Sequence, residues 1–156
     1  MFRNRQVITA MLVAPWLAVL AWFAAGALVG ERPQPAQRGQ SYPLVEKSSC
    51  RYPSGVCDLE NRSLRLTLRA GDGAEVTLKL DSSHALDQVL MTVAEADSDV
   101  APRHMEAEDE FGRIWYLPLS RLPDAGMRIR LAASRSGSVF FADASTAFLQ
   151  GARQKR

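Results

Sequence analysis

The chain has 156 residues, with 19 lysines and arginines against 17 aspartates and glutamates. Two of the basic residues, Arg3 and Arg5, precede a long apolar segment, so the remaining basic and acidic residues are equal in number. This balance argues against a nucleic-acid-binding surface, which needs a concentrated basic patch. Residues 31–156, which follow the apolar segment, are enough for one domain.

The first predicted element is a membrane-spanning helix over residues 7–30, which contain no charged side chain. At about 1.5 Å per residue this helix reaches roughly 36 Å, enough to cross a hydrocarbon core of about 30 Å. Arg3 and Arg5 favour a cytoplasmic N-terminus, so residues 31–156 are expected in the periplasm, anchored to the inner membrane. A cleaved signal peptide is the alternative, because Ala25-Gly26-Ala27 offers a small-residue cleavage site. Either interpretation exports the rest of the chain.

A proline-rich spacer is predicted next, because Pro33, Pro35 and Pro43 interrupt a polar stretch and disfavour a helix. The expected organisation is a cytoplasmic N-terminus (1–6), an anchor (7–30), a spacer (31–47), an exported domain (48–150) and a basic tail (151–156).

Cys50 and Cys57 are the only cysteines, and both lie on the exported side. Two nearby thiols usually pair in an oxidising compartment, and Pro53 and Gly55 suit the turn between them. We therefore predict a structural disulfide. Metal binding, a redox role and unpaired thiols are the alternatives, although the spacing is not that of a Cys-x-x-Cys motif.

Beyond Cys57 apolar residues alternate with polar ones, which is typical of strands with one exposed face. The alternation predicts six strands, with a seventh around Tyr42–Val45 or Val56–Leu59. The six strands centre on Leu64–Leu68, Val76–Leu80, Val89–Val93, Arg113–Ser120, Met127–Leu131 and Ser138–Ala144. Pro118 suggests that its strand is an edge or contains a bulge.

Short strands separated by turn residues predict an all-β domain, a single antiparallel sandwich of immunoglobulin-like type behind one transmembrane helix. The last strand is apolar on both faces at Phe140 and Phe141, so one of the two must point away from the core. That phenylalanine either marks a partner surface or is covered by the spacer.

Candidate metal ligands are few. His104 and Met105 combine an imidazole with a thioether, the ligands that a cuprous ion prefers, and His84 is a further candidate. Met91 and Met127 are in register with the apolar faces of their strands and are expected to fill the core. The acidic residues Glu106, Glu108, Asp109 and Glu110 are expected to form a solvated connector; calcium binding is the alternative, but their order matches no EF-hand loop.

The chain resembles the FixH-type and YtkA-like small membrane-anchored proteins in its anchor, its single exported domain and the segment Gly112-Arg113-Ile114-Trp115. The resemblance implies an accessory role, since FixH-type members are associated with assembly or copper supply of respiratory oxidases. The chain departs from that pattern in Cys50 and Cys57 and in its spacer, and the resemblance assigns no metal ligand.

Two functions follow from these observations. The first is a non-catalytic interaction module, without a cofactor, that meets a membrane-protein partner through an edge strand or through Phe140 and Phe141. The second is a copper-handling accessory protein that uses His104 and Met105. An enzyme is not expected, because the sequence offers no nucleophile paired with a base.

Overall fold

The computed structural model describes residues 12–22, 37–72 and 75–153, with the side chains of residues 152 and 153 left undescribed. Residues 12–22 are helical and their side chains are exposed. The rest of the predicted anchor, residues 31–36 of the spacer and the last three residues of the tail lie outside the described part. Within that part, no helix combines the length and the apolar character that a membrane crossing requires.

In the part of the domain that the structure describes, residues 37–72 and 75–153, there are eleven strands. They are β1 (Ser41–Pro43), β2 (Val45–Glu46), β3 (Val56–Glu60), β4 (Arg65–Ala70), β5 (Thr77–Ser82), β6 (Gln88–Ala94), β7 (Arg103–His104), β8 (Glu106–Ala107), β9 (Ile114–Pro118), β10 (Arg128–Arg135) and β11 (Ser138–Ser145). Short 3₁₀ turns cover Ser48–Arg51 and Ala147–Leu149, and a single helical turn covers Gln150–Arg153.

The strands form two sheets that enclose a shared hydrophobic core, which makes the domain a β-sandwich. The front sheet has the order β1-β11-β10-β6-β7, and the back sheet has the order β2-β3-β4-β5-β9-β8. The alternation of apolar and polar residues along each strand explains why one face of each sheet lies in the core. Leucines such as Leu66 and Leu80 are fully buried, while their neighbours Arg65 and Asp81 face outward. All six predicted strands are present, and both segments offered for a seventh contain strands.

The predicted antiparallel pairing needs one correction at the front edge. β1 runs parallel to β11, with Ser41 opposite Val139 and Pro43 opposite Phe141, whereas the other described pairings are antiparallel. Part of the predicted spacer therefore belongs to the sandwich. Pro43 is compatible with this strand because β1 lies at the sheet edge, where a missing N–H is tolerated.

On each lateral side of the sandwich, the chain passes from the edge strand of one sheet to the edge strand of the other. Leu44 connects β1 to β2 and is 6% exposed, and Met105 connects β7 to β8 and is 4% exposed. Each edge strand has only two or three residues. Short edge strands present few unpaired backbone groups to a passing chain. Pro118 ends β9 rather than marking an edge strand, since β9 lies between β5 and β8.

Cys50 and Cys57 form the predicted disulfide, with an S–S distance of 2.06 Å. Both residues are fully buried. The bond joins the first 3₁₀ turn to β3, and the adjacent Gly55 N–H donates to the Phe148 carbonyl at 3.0 Å. The turn that contains Pro53 and Gly55 is thereby fixed against the C-terminal segment.

Candidate interaction surface

The two phenylalanines of β11 point in opposite directions, as a strand requires. Phe140 is fully buried, and its ring stacks on Tyr42 with centroids 5.6 Å apart. Phe141 points outward and is 47% exposed, while Val139 on the same face is 39% exposed. The residues 37–43 that fold back on β11 pair with its backbone and leave Phe141 uncovered.

Strand register places Phe141 in a transverse row of apolar residues on the outer face of the front sheet. Pro43 lies opposite Phe141, Phe141 opposite Ala132, and Ala132 opposite Leu90. Cross-strand partners lie on the same face of a sheet, so these four side chains form one continuous strip, which we call the outer row. Ala132 and Leu90 are half-buried and Pro43 is exposed.

Polar groups border the outer row on both sides. Ser134 and Gln88 lie on one side. On the other side the Arg128 Nε lies 2.8 Å from an Asp143 carboxylate oxygen, and Arg130 donates to the backbone carbonyls of Ala96 and Ser98. An apolar centre with a polar rim is the usual composition of a protein–protein contact surface.

The outer face of the back sheet is different, because ion pairs cross it and its two exposed valines are isolated. Val45 lies opposite Glu60, and Val56 lies opposite Arg69. Arg69 lies 3.0 Å from Asp81, and Lys79 lies 2.9 Å from Glu108. Glu60 pairs with Arg65 at 3.0 Å and also with Lys47. The Lys47 hydrogen bond is the main reason that the pKa of Glu60 is lowered, even though the partial desolvation of this carboxylate acts against it. Exposed pairs of this kind add little stability, and they keep this face hydrated.

The structure separates the predicted copper ligands. Met105 is buried between the sheets, whereas His104 is exposed at the end of β7, opposite Leu90. The His104 Nδ1 lies 2.9 Å from the Gln88 amide nitrogen. His84 lies on a different turn, where its Nδ1 is 2.9 Å from the Ser83 hydroxyl. Among the described residues, no group of three or more histidine, cysteine or acidic side chains is placed to hold a metal ion.

The acidic residues after Met105 make separate contacts and do not act as a cluster. Glu106 accepts a hydrogen bond from the Tyr116 hydroxyl, which raises the pKa of Tyr116. Glu108 pairs with Lys79, and Asp109 accepts hydrogen bonds from the backbone N–H groups of the turn that follows. The position of each carboxylate is explained by one of these contacts, except for the exposed Glu110.

The Gly112–Trp115 segment holds this turn together. The Gly112 carbonyl accepts hydrogen bonds from the Trp115 indole N–H at 3.0 Å and from the Leu86 N–H at 2.8 Å. Trp115 is 7% exposed and contributes to the core. The segment that carries the family resemblance is therefore explained here by packing.

A small apolar cavity of about 70 Å³ lies between β6, β9 and the chain before β7. Its lining includes Met91, Val93, Val100, Leu117 and Leu119. Sites for organic ligands usually measure about 300–1,000 Å³, so this cavity is too small to hold one. Met91 fills the core, as predicted, and is fully buried.

Comparison of the chain with protein-family models, curated proteins and solved structures found no significant match. The outer row therefore stands as the candidate site on geometry alone. Sequence reasoning singled out Phe140 and Phe141 but missed Ala132 and Leu90. Their contribution depends on the register between β11, β10 and β6, which alternation within a single strand does not reveal.

Proposed function

We propose that this protein is a membrane-anchored, periplasmic interaction module without catalytic activity, and that its outer row contacts a membrane-protein partner. The observation that carries the proposal is the contrast between the two outer faces. One face has a continuous apolar strip that includes Phe141, whereas the other has ion pairs with single exposed valines between charged residues. Exposed apolar strips with a polar rim commonly mark contact surfaces.

The order of the strands supports an immunoglobulin-like form of the sandwich. β4-β5-β9-β8 follows the A-B-E-D order of one immunoglobulin sheet, and β11-β10-β6-β7 follows the G-F-C-C′ order of the other. In this interpretation β1, β2 and β3 are additions before strand A. The outer row then lies on the G-F-C-C′ sheet.

The face is a better candidate than a strand edge for partner binding. The free side of β11 beyond β1 is occupied by the protein's own groups, since the Ser145 N–H donates to Glu46 and the Asp143 carbonyl accepts from Arg128. Strand addition needs a run of unpaired backbone groups. We therefore assign the interaction to side chains on the face.

The predicted anchor adds to this function by confining the domain to a membrane. A contact formed by a few side chains is weak in solution, because stable interfaces bury about 1,200–2,000 Å². Confinement raises the effective concentration of two proteins in the same membrane. A modest apolar strip is then sufficient for association with a membrane protein.

A pair of matched variants tests the proposal. Val139 and Val56 are 39% and 37% exposed, on the outer faces of the front and back sheets respectively. We expect Phe141→Asp in the outer row, and less strongly Val139→Asp beside it on the same face of β11, to lower recovery of a stoichiometric membrane partner from detergent-solubilised membranes. A contact residue worth about 2 kcal/mol corresponds to a loss of more than about tenfold in affinity. Val56→Asp is expected to leave recovery unchanged, and equal losses in the three variants would refute the assignment to the outer row.

A further inference from the structure

The outer row has an order of side chains that is complementary to itself. Read from the edge inward, it consists of Pro43, Phe141, Ala132 and Leu90, one residue from each of β1, β11, β10 and β6. Its two central members are the largest and the smallest side chains of the row, and they lie on adjacent strands. Phe141 is 47% exposed, whereas Ala132 is half-buried. A projecting ring and a hollow therefore lie side by side.

The hollow at Ala132 is wide enough for one aromatic ring. Ala132 lies opposite Phe141 on one side and opposite Leu90 on the other. Neighbouring strands are about 4.8 Å apart, so the backbones that carry these two larger side chains are separated by roughly 10 Å. A side chain that enters between them needs about 3.5–4.0 Å between carbon atoms on each side. A flat ring meets this requirement.

A two-fold axis brings the ring of one copy to the hollow of another. In a symmetric pair, a residue that contacts a second residue is contacted by the same two residues in reverse. An axis in the plane of the contact, parallel to the strands and between β11 and β10, exchanges these two strands. Phe141 of each copy then lies over Ala132 of the other, and Pro43 lies over Leu90. Sheets that pack face to face keep their strands within about 30° of each other, which preserves this match near the axis.

The charged residues beside the outer row are compatible with the same arrangement. Asp143 lies opposite Arg130, and Ser145 lies opposite Arg128, on β11 and β10 respectively. The axis therefore places Arg130 of one copy over Asp143 of the other, and Arg128 over Ser145. On the other side of the outer row, the facing residues of β11 and β10 are uncharged. Like charges that face each other across a contact are costly, and this arrangement avoids them in each of these rows.

The same charged groups already have partners within one copy. The Arg128 Nε lies 2.8 Å from an Asp143 carboxylate oxygen, and Arg130 donates to the carbonyls of Ala96 and Ser98. Covering the face with a second copy therefore leaves none of these three charges unpaired. An unpaired buried charge is the main electrostatic penalty of such a contact.

The size of the face indicates a weak pair. β10 and β11 have eight residues each, which corresponds to a length of about 26 Å. The three strand spacings from β1 to β6 add a width of about 15 Å, so the projected area is about 400 Å² per copy. Standard interfaces bury about 800 Å² per partner. A second copy has the same predicted anchor, so confinement to one membrane would strengthen the contact.

From these observations we infer that the outer row binds the outer row of a second copy of this chain. In this two-fold symmetric pair, Phe141 of each copy fills the hollow at Ala132 of the other. The inference rests on the proposed function, because it uses the same surface and the same anchor, and it identifies the partner. An unrelated partner would not require a row that is complementary to itself.

The test uses full chains that carry two different affinity tags and are expressed together. Brief formaldehyde cross-linking of intact membranes retains weak pairs before detergent is added. One tag is then captured, and the amount of the second tag is measured. We expect wild-type chains to be recovered together. Two copies of Phe141→Ala should show a several-fold lower recovery because both hollows stay empty, and two copies of Ala132→Phe should do so because the rings collide.

The decisive measurement is the mixed pair of Phe141→Ala with Ala132→Phe. At each of its two contacts one phenylalanine meets one alanine, so recovery should return toward the wild-type level. Such a return also shows that both variants fold. Recovery in the mixed pair that is as low as in the two matched pairs would overturn the inference. Equal recovery in all pairs would overturn it as well, because the copies would then meet elsewhere.

The same capture separates this inference from the proposed function. A different protein that is recovered with wild type and lost in Phe141→Asp, without the second tag, contradicts the inference and leaves the proposed function intact. If Phe141→Asp changes the recovery of neither a second copy nor another protein, both proposals fail.

Discussion

Gly112 shows how a single residue can determine a turn. Its φ is +64°, a left-handed conformation that favours glycine, and an added Cβ would lie 2.6 Å from the Leu86 carbonyl oxygen. The glycine therefore satisfies a conformational and a steric requirement at once. The sequence indicates a special role for this residue before Trp115, but the reason is a contact with a turn more than twenty residues earlier in the chain.

Gly112→Ala should destabilise the fold by about 1–3 kcal/mol, because the strained backbone and the contact with Leu86 both oppose the new methyl group. Urea denaturation followed by circular dichroism measures this effect as a shift of the midpoint. Gly126→Ala is the matched control, since an added Cβ there has no atom within 4 Å. If the urea midpoints of Gly112→Ala and Gly126→Ala are equal, the turn accommodates the added methyl group without loss of stability.

Asp109 links the same turn to pH. Hydrogen bonds from the backbone, first that of Ile114, lower the pKa of this carboxyl below its ordinary value of 3.8. A lowered pKa in the folded state stabilises the fold above the ordinary value, and the contribution disappears as the pH falls from there through the lower folded pKa. The Asp109→Asn variant should therefore lose less stability than the wild type as the pH falls through this acidic range.

Denaturation midpoints measured from neutral pH down to pH values below 3.8 test the role of Asp109. The wild-type curve should fall more steeply than that of Asp109→Asn in the acidic part. Glu110→Gln, at the exposed neighbouring residue, should keep the wild-type slope. Parallel curves for wild type and Asp109→Asn would assign the acid sensitivity to other groups.

At the scale of elements, the alternation of apolar and polar residues located the strands but did not show how the chain connects them. Leu78 and Leu80 are buried as their spacing predicts, because side-chain direction depends only on neighbouring residues in the same strand. The passage of the chain between sheets at Leu44 and Met105 depends on which strand receives the next segment. The residue pattern within one strand does not show which sheet the next segment joins. For this reason residues 31–47 were predicted to be a separate spacer and Met105 a possible metal ligand.

The disulfide is the element-scale feature with the clearest energetic consequence. Its sequence separation of seven residues closes a short loop, which corresponds to a stabilisation of about 2.5 kcal/mol on the chain-entropy argument. We expect the double variant Cys50→Ala, Cys57→Ala to lose about this amount in urea denaturation. Reductant should lower the wild-type midpoint in the same direction and leave the double variant unchanged. If neither the double substitution nor reductant lowers the urea midpoint, the loop is held by the Gly55–Phe148 hydrogen bond alone.

At the scale of the whole molecule, the proposed function combines a location with a surface. In the described residues the sandwich offers an apolar strip on the outer face of its front sheet. The sequence suggested the location from its charge-free segment and the surface from Phe140 and Phe141. Only the assembled sheets show that Pro43, Ala132 and Leu90 extend that surface across four strands.

Location also determines whether the disulfide can form, and this gives a test of export in the cell. Thiols stay reduced in the cytoplasm and pair in the periplasm. We expect Cys50 and Cys57 of the full chain to resist maleimide after denaturation without reductant. A variant lacking residues 2–30 should instead take up two maleimide groups per chain, because its domain stays in the reducing compartment. Prior reduction of the full chain should restore both reactive thiols, which controls for accessibility. Two modified thiols in the unreduced full chain would contradict the predicted orientation with the N-terminus inside, and a periplasmic partner would be excluded with it.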